Sequence, residues 1–261
     1  MPLHHIPEII LLCRENKFLT AFNDALPKYW PSYTSSASTA TPNPPIHITT
    51  INESLNTLPS GTKFDLVVSP ANSYGRLDGA FDDAISRKFC LSQKQPYDAL
   101  THAAQEVLYE KWRGFAPPGT CTLVPFPEEL RGNEFGCVWI GLCPTMRLPT
   151  NVKWDKEVVY ECVWSLMGAV EGWNRDQDQD RDRGHKGKGG SSSRREKKIE
   201  RILITPLATG VGKVSPEKWA AQFVLALKHF VDALERPERW RKLDWMEIGD
   251  TAMEVERTWD L

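Results

Sequence analysis

Six short apolar runs recur along the chain: Ile9–Cys13, Ile46–Ile51, Leu66–Ser69, Cys121–Pro125, Val138–Cys143 and Ile202–Thr205. Several are continuous rather than alternating, the pattern of strands covered on both faces. Helical patterns lie between them. "AFNDAL" follows the first run, and "YDALTHAAQEVLYEKW" sets Leu100, Ala103, Ala104, Val107 and Leu108 on one face. "DKEVVYECVWSLMGAVEGW" is a third, with Asp155 as the expected N-cap. The fourth has Ser215 as cap, Pro216 in the first helical position, and Trp219, Phe223, Leu227, Val231 and Leu234 at helical spacing. Arg236-Pro237 ends it. Strands alternating with helices predict one three-layer α/β/α domain over residues 1–236, built on a mostly parallel central sheet.

Two polar segments interrupt this order. Pro31 to Pro45 is rich in Ser, Thr and Pro and reads as a loop. Asn174 to Lys198 is of low complexity, acidic-mixed in its first half and basic in its second. Such a stretch buries too little apolar surface to offset its ordering entropy, so disorder is expected from Asn174 onward. The alternating Asp176, Asp178, Asp180 and Asp182 read as solvation rather than calcium ligation. Residues 237–261 carry Trp240, Trp245 and Trp259, which predict a tail packed on the domain.

Composition adds little beyond exclusions. The 261 residues are 41% hydrophobic and 25% charged with a net charge of -2, so no basic field points to nucleic acid. No apolar run reaches membrane-spanning length and no signal peptide is expected. The six cysteines form no C-x-x-C pair and sit mostly in apolar runs, which suggests free thiols and an intracellular setting, cytoplasmic or nuclear. No His/Cys cluster has metal-ligand spacing, and neither a metal nor a cofactor is expected. Oligomeric state is open.

The chemistry concentrates in two loops. In "DLVVSPANSYGRLDGAFDDAI", Asp65 to Ile85, a buried strand exits through turn-forming residues and re-enters a helix carrying Asp82 and Asp83. In "ILITPLATGVGKVSPEKW", Ile202 to Trp219, a second strand exits through Thr209-Gly210-Val211-Gly212 into the Ser215-capped helix. Glycines let backbone approach an oxygen-rich ligand, and free N–H groups near a helix start favour phosphate. A Walker A loop ending at Gly212-Lys213 fails because Leu207 and Val214 stand at required positions, and a dinucleotide fingerprint fails at Ser215.

At these residues the chain resembles the macrodomain family. Ser69-Pro70-Ala71-Asn72 is similar to that family's N-A-A-N motif, and the loop through Ile85 resembles its glycine-rich continuation. Thr209 to Gly212, after a strand ending in Pro206, resembles the family's diphosphate-wrapping loop, and "CPTMRLP", Cys143 to Pro149, a strand exit of a divergent macrodomain-like branch. The resemblance spans most of Ile9 to Leu234 and implies a mixed, mostly parallel sheet. It also implies that the protein binds ADP-ribose or an ADP-ribosylated substrate and hydrolyses an ADP-ribosyl linkage or ADP-ribose 1″-phosphate. Asp82, ten positions after Asn72, then corresponds to the functional aspartate of MacroD-type hydrolases. By that resemblance Asn72 contacts the distal ribose, and Asp82 orients the ribose or a water at its anomeric carbon. Ala71, Asn72, Asp78, Gly79 and Ala80 of the first loop and Ala208, Thr209, Gly210, Val211 and Gly212 of the second would line the ligand.

The departures are specific. Leu77-Asp78-Gly79-Ala80 replaces the glycine run and brings an extra carboxylate. Gly212 stands where the family often has an aromatic, and "TTINES", Thr49 to Ser54, stands roughly where it holds adenine. For individual residues the plainer readings stay open: Asn72 as a turn residue, Asp82 and Asp83 as helix-start carboxylates, Lys213 as an exposed loop lysine, Thr145 and Arg147 as strand-end residues. Three functions compete accordingly: a hydrolase, a non-catalytic ADP-ribose reader, and a scaffold with a vestigial cleft.

Overall fold

The computed structural model describes residues 5–36, 44–184 and 197–261. All six apolar runs are strands: β1 (Glu8–Leu12), β2 (Ile48–Ile51), β3 (Leu66–Ser69), β4 (Thr122–Pro125), β5 (Trp139–Leu142) and β6 (Arg201–Ile204). They form one sheet in the order β2-β1-β6-β3-β5-β4. Every neighbouring pair is parallel except β4–β5, which is antiparallel. The sheet is therefore mixed and mostly parallel.

The strands read as continuous apolar runs because both faces are covered. Side chains alternate across a strand, and the two cores divide accordingly. Ile9, Leu11, Leu66, Val68, Ile202 and Ile204 pack against α1 (Asn16–Tyr29), α5 (Val158–Gly184) and α6 (Pro216–Glu235). Ile10, Leu12, Val67, Ile140, Leu142 and Leu203 pack against α3 (Ala80–Phe89) and α4 (Ala99–Trp112). The result is a three-layer α/β/α fold.

The register of the central strands is fixed at their amino ends. β3 pairs with β6 through Leu66↔Ile202 and Val67↔Leu203. Asp65, just before β3, accepts hydrogen bonds on Oδ2 from the N–H groups of Glu200 (2.9 Å) and Arg201 (3.0 Å). Its backbone oxygen accepts from Val138 and Trp139 at the start of β5. One residue thus aligns three strands, and their carboxyl ends emerge together.

Three local expectations need correction. Asp155 does not cap α5: the helix starts at Val158, and Asp155 Oδ1 instead accepts from the Glu157 N–H (3.2 Å) in the turn before it. The polar segment from Pro31 begins as a short helix, α2 (Pro31–Ser36); residues 37–43 lie outside the described residues. The insertion expected to be disordered from Asn174 is helical through Gly184, because α5 simply continues. Extending an existing helix avoids the nucleation cost, and the Arg and Gln of this stretch are adequate helix formers. Residues 185–196 of that insertion lie outside the described residues.

Asn174 itself is buried. Its amide donates to the carbonyls of His5 (2.9 Å) and Ile199 (2.8 Å), and its oxygen accepts from the Ile199 N–H (2.8 Å). It ties α5 to the start of β6 and to the amino-terminal segment.

The tail packs on the domain as α7 (Pro237–Trp240) and α8 (Trp245–Glu256). Trp240 lies against Trp164 and donates to Asp232 (2.8 Å), Thr258 is fully buried, and Trp259 donates to Glu157 (2.9 Å). Trp245 departs from the expectation: it opens α8 and is 86% exposed. Among the described residues no helix is long and apolar enough to cross a membrane.

Asn174→Ala would strand three buried backbone groups at once. Unfolding in urea should show a loss of about 2–4 kcal/mol, with Asn174→Asp no better, because a carboxylate cannot donate to the two carbonyls.

Candidate functional site

The carboxyl ends of all five parallel strands open into one cleft of about 520 Å³, within the size range of small-molecule sites. β1 contributes Leu12 and the following Arg14, and the exit of β2 contributes Glu53 to Asn56. β3 contributes Pro70 to Asn72 and the loop into α3, β5 contributes Thr145, Met146 and Pro149, and β6 contributes Thr205 to Gly212 apart from Leu207. The antiparallel β4 points its carboxyl end the other way and contributes nothing.

The candidate ligand-lining residues of the two loops all border this cleft: Ala71, Asn72, Asp78, Gly79, Ala80 and Asp82 from the first, Ala208 through Gly212 from the second. Asp83, Lys213 and Arg147 do not. Asp83 pairs with Arg87 (2.8 Å) and the Tyr97 hydroxyl (2.6 Å), which hold its carboxyl below the usual range. Arg147 donates to the Tyr74 hydroxyl (3.0 Å) with its guanidinium over the Phe115 ring.

The loops present backbone N–H groups. Among the described residues, those of Gly79 and Ala80 in the first loop and of Thr209, Gly210, Val211 and Gly212 in the second find no acceptor. Gly79 precedes α3 with extended backbone and no side-chain cap, so the first N–H groups of that helix are open to the cleft, although Asp83 in the first turn offsets part of its positive end. Ala80 (φ 50°) and Ala208 (φ 60°) both sit in the left-handed region, a strained conformation for a non-glycine residue that clusters at ligand sites.

The glycines differ in purpose. A Cβ on Gly212 would meet the Ala208 carbonyl oxygen at 2.4 Å, so this glycine closes the loop on itself. On Gly79 or Gly210 a Cβ would meet nothing within 4 Å. Their lack of a side chain keeps the cleft open instead.

Asp82 is 5% exposed, and its Oδ1 accepts from the fully buried Ser69 hydroxyl at 2.6 Å. Burial pushes the carboxyl up to about 7; the Ser69 hydrogen bond opposes the shift and the nearby charge of Asp78 adds to it. Ser69, the first residue of the Ser69-Pro70-Ala71-Asn72 motif, thus positions the carboxyl. Its hydroxyl at the start of that motif was the available signal.

Asn72 serves its own turn, the plainer of its two readings. Its oxygen accepts from the N–H groups of Tyr74 (3.0 Å) and Arg76 (3.3 Å), and its amide donates to the Arg76 carbonyl (2.8 Å). The side chain builds the turn and keeps one amide N–H for anything else. Arg76, not singled out from the sequence, lines the cleft and pairs with Asp78 (2.9 Å), neutralising the extra carboxylate. Arg14, Phe18 and Leu55 at the β1/β2 end were also missed, since they come from two segments, after β1 and after β2, that only the sheet order brings together.

No family model matches the chain and no curated protein matches it. Among solved structures it is similar to the Oceanobacillus iheyensis macrodomain with ADP, at 15% identity and a TM-score of 0.43 over 66% of this chain and 72% of that one. The same macrodomain with MES bound aligns at 14% identity and a TM-score of 0.41, covering 76% of this chain and 86% of that one. A glycine-to-valine mutant of it with ADPR aligns at 12% identity and a TM-score of 0.35, over 66% and 89%.

Two outcomes follow from the geometry alone. Gly212→Ala should lower unfolding stability by about 1–3 kcal/mol, whereas Gly210→Ala should leave it unchanged. Asp82 supplies a pH signature. Unfolded, an aspartate titrates near ~3.9; folded, Asp82 holds its proton to about 7. Between these values the unfolded chain has released a proton that the folded chain retains, so folding stability falls as pH rises through this window and is level above it. Asp82→Asn still accepts from Ser69 but cannot ionise. Its urea midpoint should match that of the parent near pH 4 and exceed it by pH 8, by on the order of 4 kcal/mol at most. A constant difference between the two proteins across that range would show that the carboxyl is solvated.

Proposed function

We propose that the cleft binds ADP-ribose or an ADP-ribosyl group and hydrolyses the linkage at the far ribose, or ADP-ribose 1″-phosphate. The observation that carries this reading is the pairing of two rows of unpartnered backbone N–H groups, on loops from adjacent parallel strands, with a buried carboxyl beside them. A diphosphate fits between such rows, since backbone donors recognise phosphate oxygens without a cation. Leu12, Phe18 and Leu55 at the β1/β2 end offer apolar surface for a base, and the second sugar would fall by Asn72, which bridges to Met146 at the β5 exit, and Asp82, which Ser69 holds.

Asp82 is suited to accept a proton. A water between it and a substrate phosphate attacks the anomeric carbon; the bond to the leaving oxygen breaks with its electron pair departing on that oxygen, and the water's proton passes to the Asp82 carboxylate. A carboxyl that titrates at about 7 is well matched to this work at neutral pH. The loop N–H groups stabilise charge building on the phosphate side.

A reader without turnover is the second reading, and Asn72 favours it: three of its hydrogen bonds go to its own turn. Calorimetric titration with ADP-ribose, followed by turnover assays on mono-ADP-ribosylated protein and on ADP-ribose 1″-phosphate, separates these readings from a vestigial cleft.

For the hydrolase, Asp82→Ala should lower kcat by about 10²–10⁴ while changing ADP-ribose affinity little, and the parent's rate should rise with pH through about 7. Gly210→Val should do the opposite, losing affinity for every ligand with its melting temperature unchanged. Parent protein that binds ADP-ribose but turns over neither substrate is a reader.

A further inference from the structure

The β5 exit holds a buried hydroxyl that no protein group pairs. Thr145 is 1% exposed, lines the cleft, and its Oγ1 has no hydrogen-bond partner. A buried hydroxyl left unpaired is costly, and valine would fill the same space without that cost. The side chain is not misplaced by a loose backbone. The Cys143 N–H donates to Ser69, the Thr145 N–H to Ala71 (3.0 Å), and the Ser73 N–H to Met146 (3.0 Å), so the β5 exit continues in parallel along the first loop. Asn72 and Met146 complete the ladder as a bridge.

This ladder fixes which backbone Thr145 lies beside. Ala71 is its backbone neighbour, Asn72 follows with one uncommitted amide N–H, and Ser69, which holds the Asp82 carboxyl, lies opposite Leu142 in the β3–β5 register. The donors of Thr209 to Gly212 follow β6, on the other side of β3 from β5. Thr145 therefore belongs to the end of the cleft beyond the diphosphate.

We propose that Thr145 Oγ1 hydrogen-bonds a hydroxyl of the sugar at the β5 end and so selects ligands that carry a sugar beyond the diphosphate over those that end at it. This rests on the ADP-ribose reading above and adds a selectivity determinant to it. The hydroxyl both donates and accepts, which suits a sugar hydroxyl; a site built around such a group penalises the ligand that lacks it.

The test titrates the full chain and three variants, Thr145→Val, Thr145→Ser and Thr145→Ala, with ADP-ribose and with ADP, and records melting temperatures in parallel. Parent protein should bind ADP-ribose more tightly than ADP. Thr145→Val should lose about tenfold in ADP-ribose affinity and nothing for ADP, with a melting temperature equal to or above the parent's. Thr145→Ser should keep the preference, and Thr145→Ala should lose it, which covers the case in which the valine variant does not fold. The proposal is overturned if Thr145→Val or Thr145→Ala keeps the preference, if both ligands weaken equally, or if the parent binds the two alike. Parent protein that binds neither ligand overturns the ADP-ribose reading as well.

Discussion

The cleft depends on the parallel pairing of β3 with β6. Each strand ends in a loop rich in small residues, and each loop alone is an ordinary turn. Set side by side in parallel, with Leu66 opposite Ile202, they end at the same edge and face each other. Ligands in open α/β sheets bind outside strand carboxyl ends for this reason. The alignment is enforced from the opposite edge by Asp65, whose carboxylate holds the amino end of β6 and whose carbonyl receives β5. A one-residue slip would invert the faces of the strand and misplace its loop.

Given that frame, the cleft achieves two environments within one cavity. The second loop and the start of α3 offer bare N–H groups and a helix terminus, favourable to negative charge. A short distance along β3, Asp82 sits in a dry setting beside Ser69, where negative charge is disfavoured. The Arg76–Asp78 pair at the rim keeps the one additional carboxylate of the first loop from adding freely to that field. An anion held by the loops therefore lies next to a carboxyl whose proton is exchangeable near neutrality.

Much of the fold was legible because burial on two faces leaves a strong signature. Leu66–Ser69 was read to the residue, and the other strands to within two residues, since continuous apolar runs of that length suit few other structures. The Ser215 cap was also readable, and its Oγ accepts from the Lys218 N–H (3.2 Å) as a local signal should. The failures have one cause. Asp155, the polar residues after Asn174 and the opening of the Pro31 segment were judged by local preference, and helix continuation or packing overrode it. Asn174 illustrates this best: a polar residue at the head of a polar run is buried because Ile199 and His5 need its amide.

At the site, the amino-acid sequence by itself determined which loops matter, because glycine, proline and asparagine at a strand exit are local constraints on backbone geometry. It also placed Asp82 in the first turn of α3. It did not determine that this carboxyl is dry, that Asn72 is spent on its own turn, or that Arg14, Phe18, Glu53, Leu55 and Thr145 share the same cavity. Those depend on sheet order, which brings five strand ends together from positions as far apart as Leu12 and Gly212. Desolvation and convergence arise from neighbours distant in sequence, so only the tertiary structure decided them.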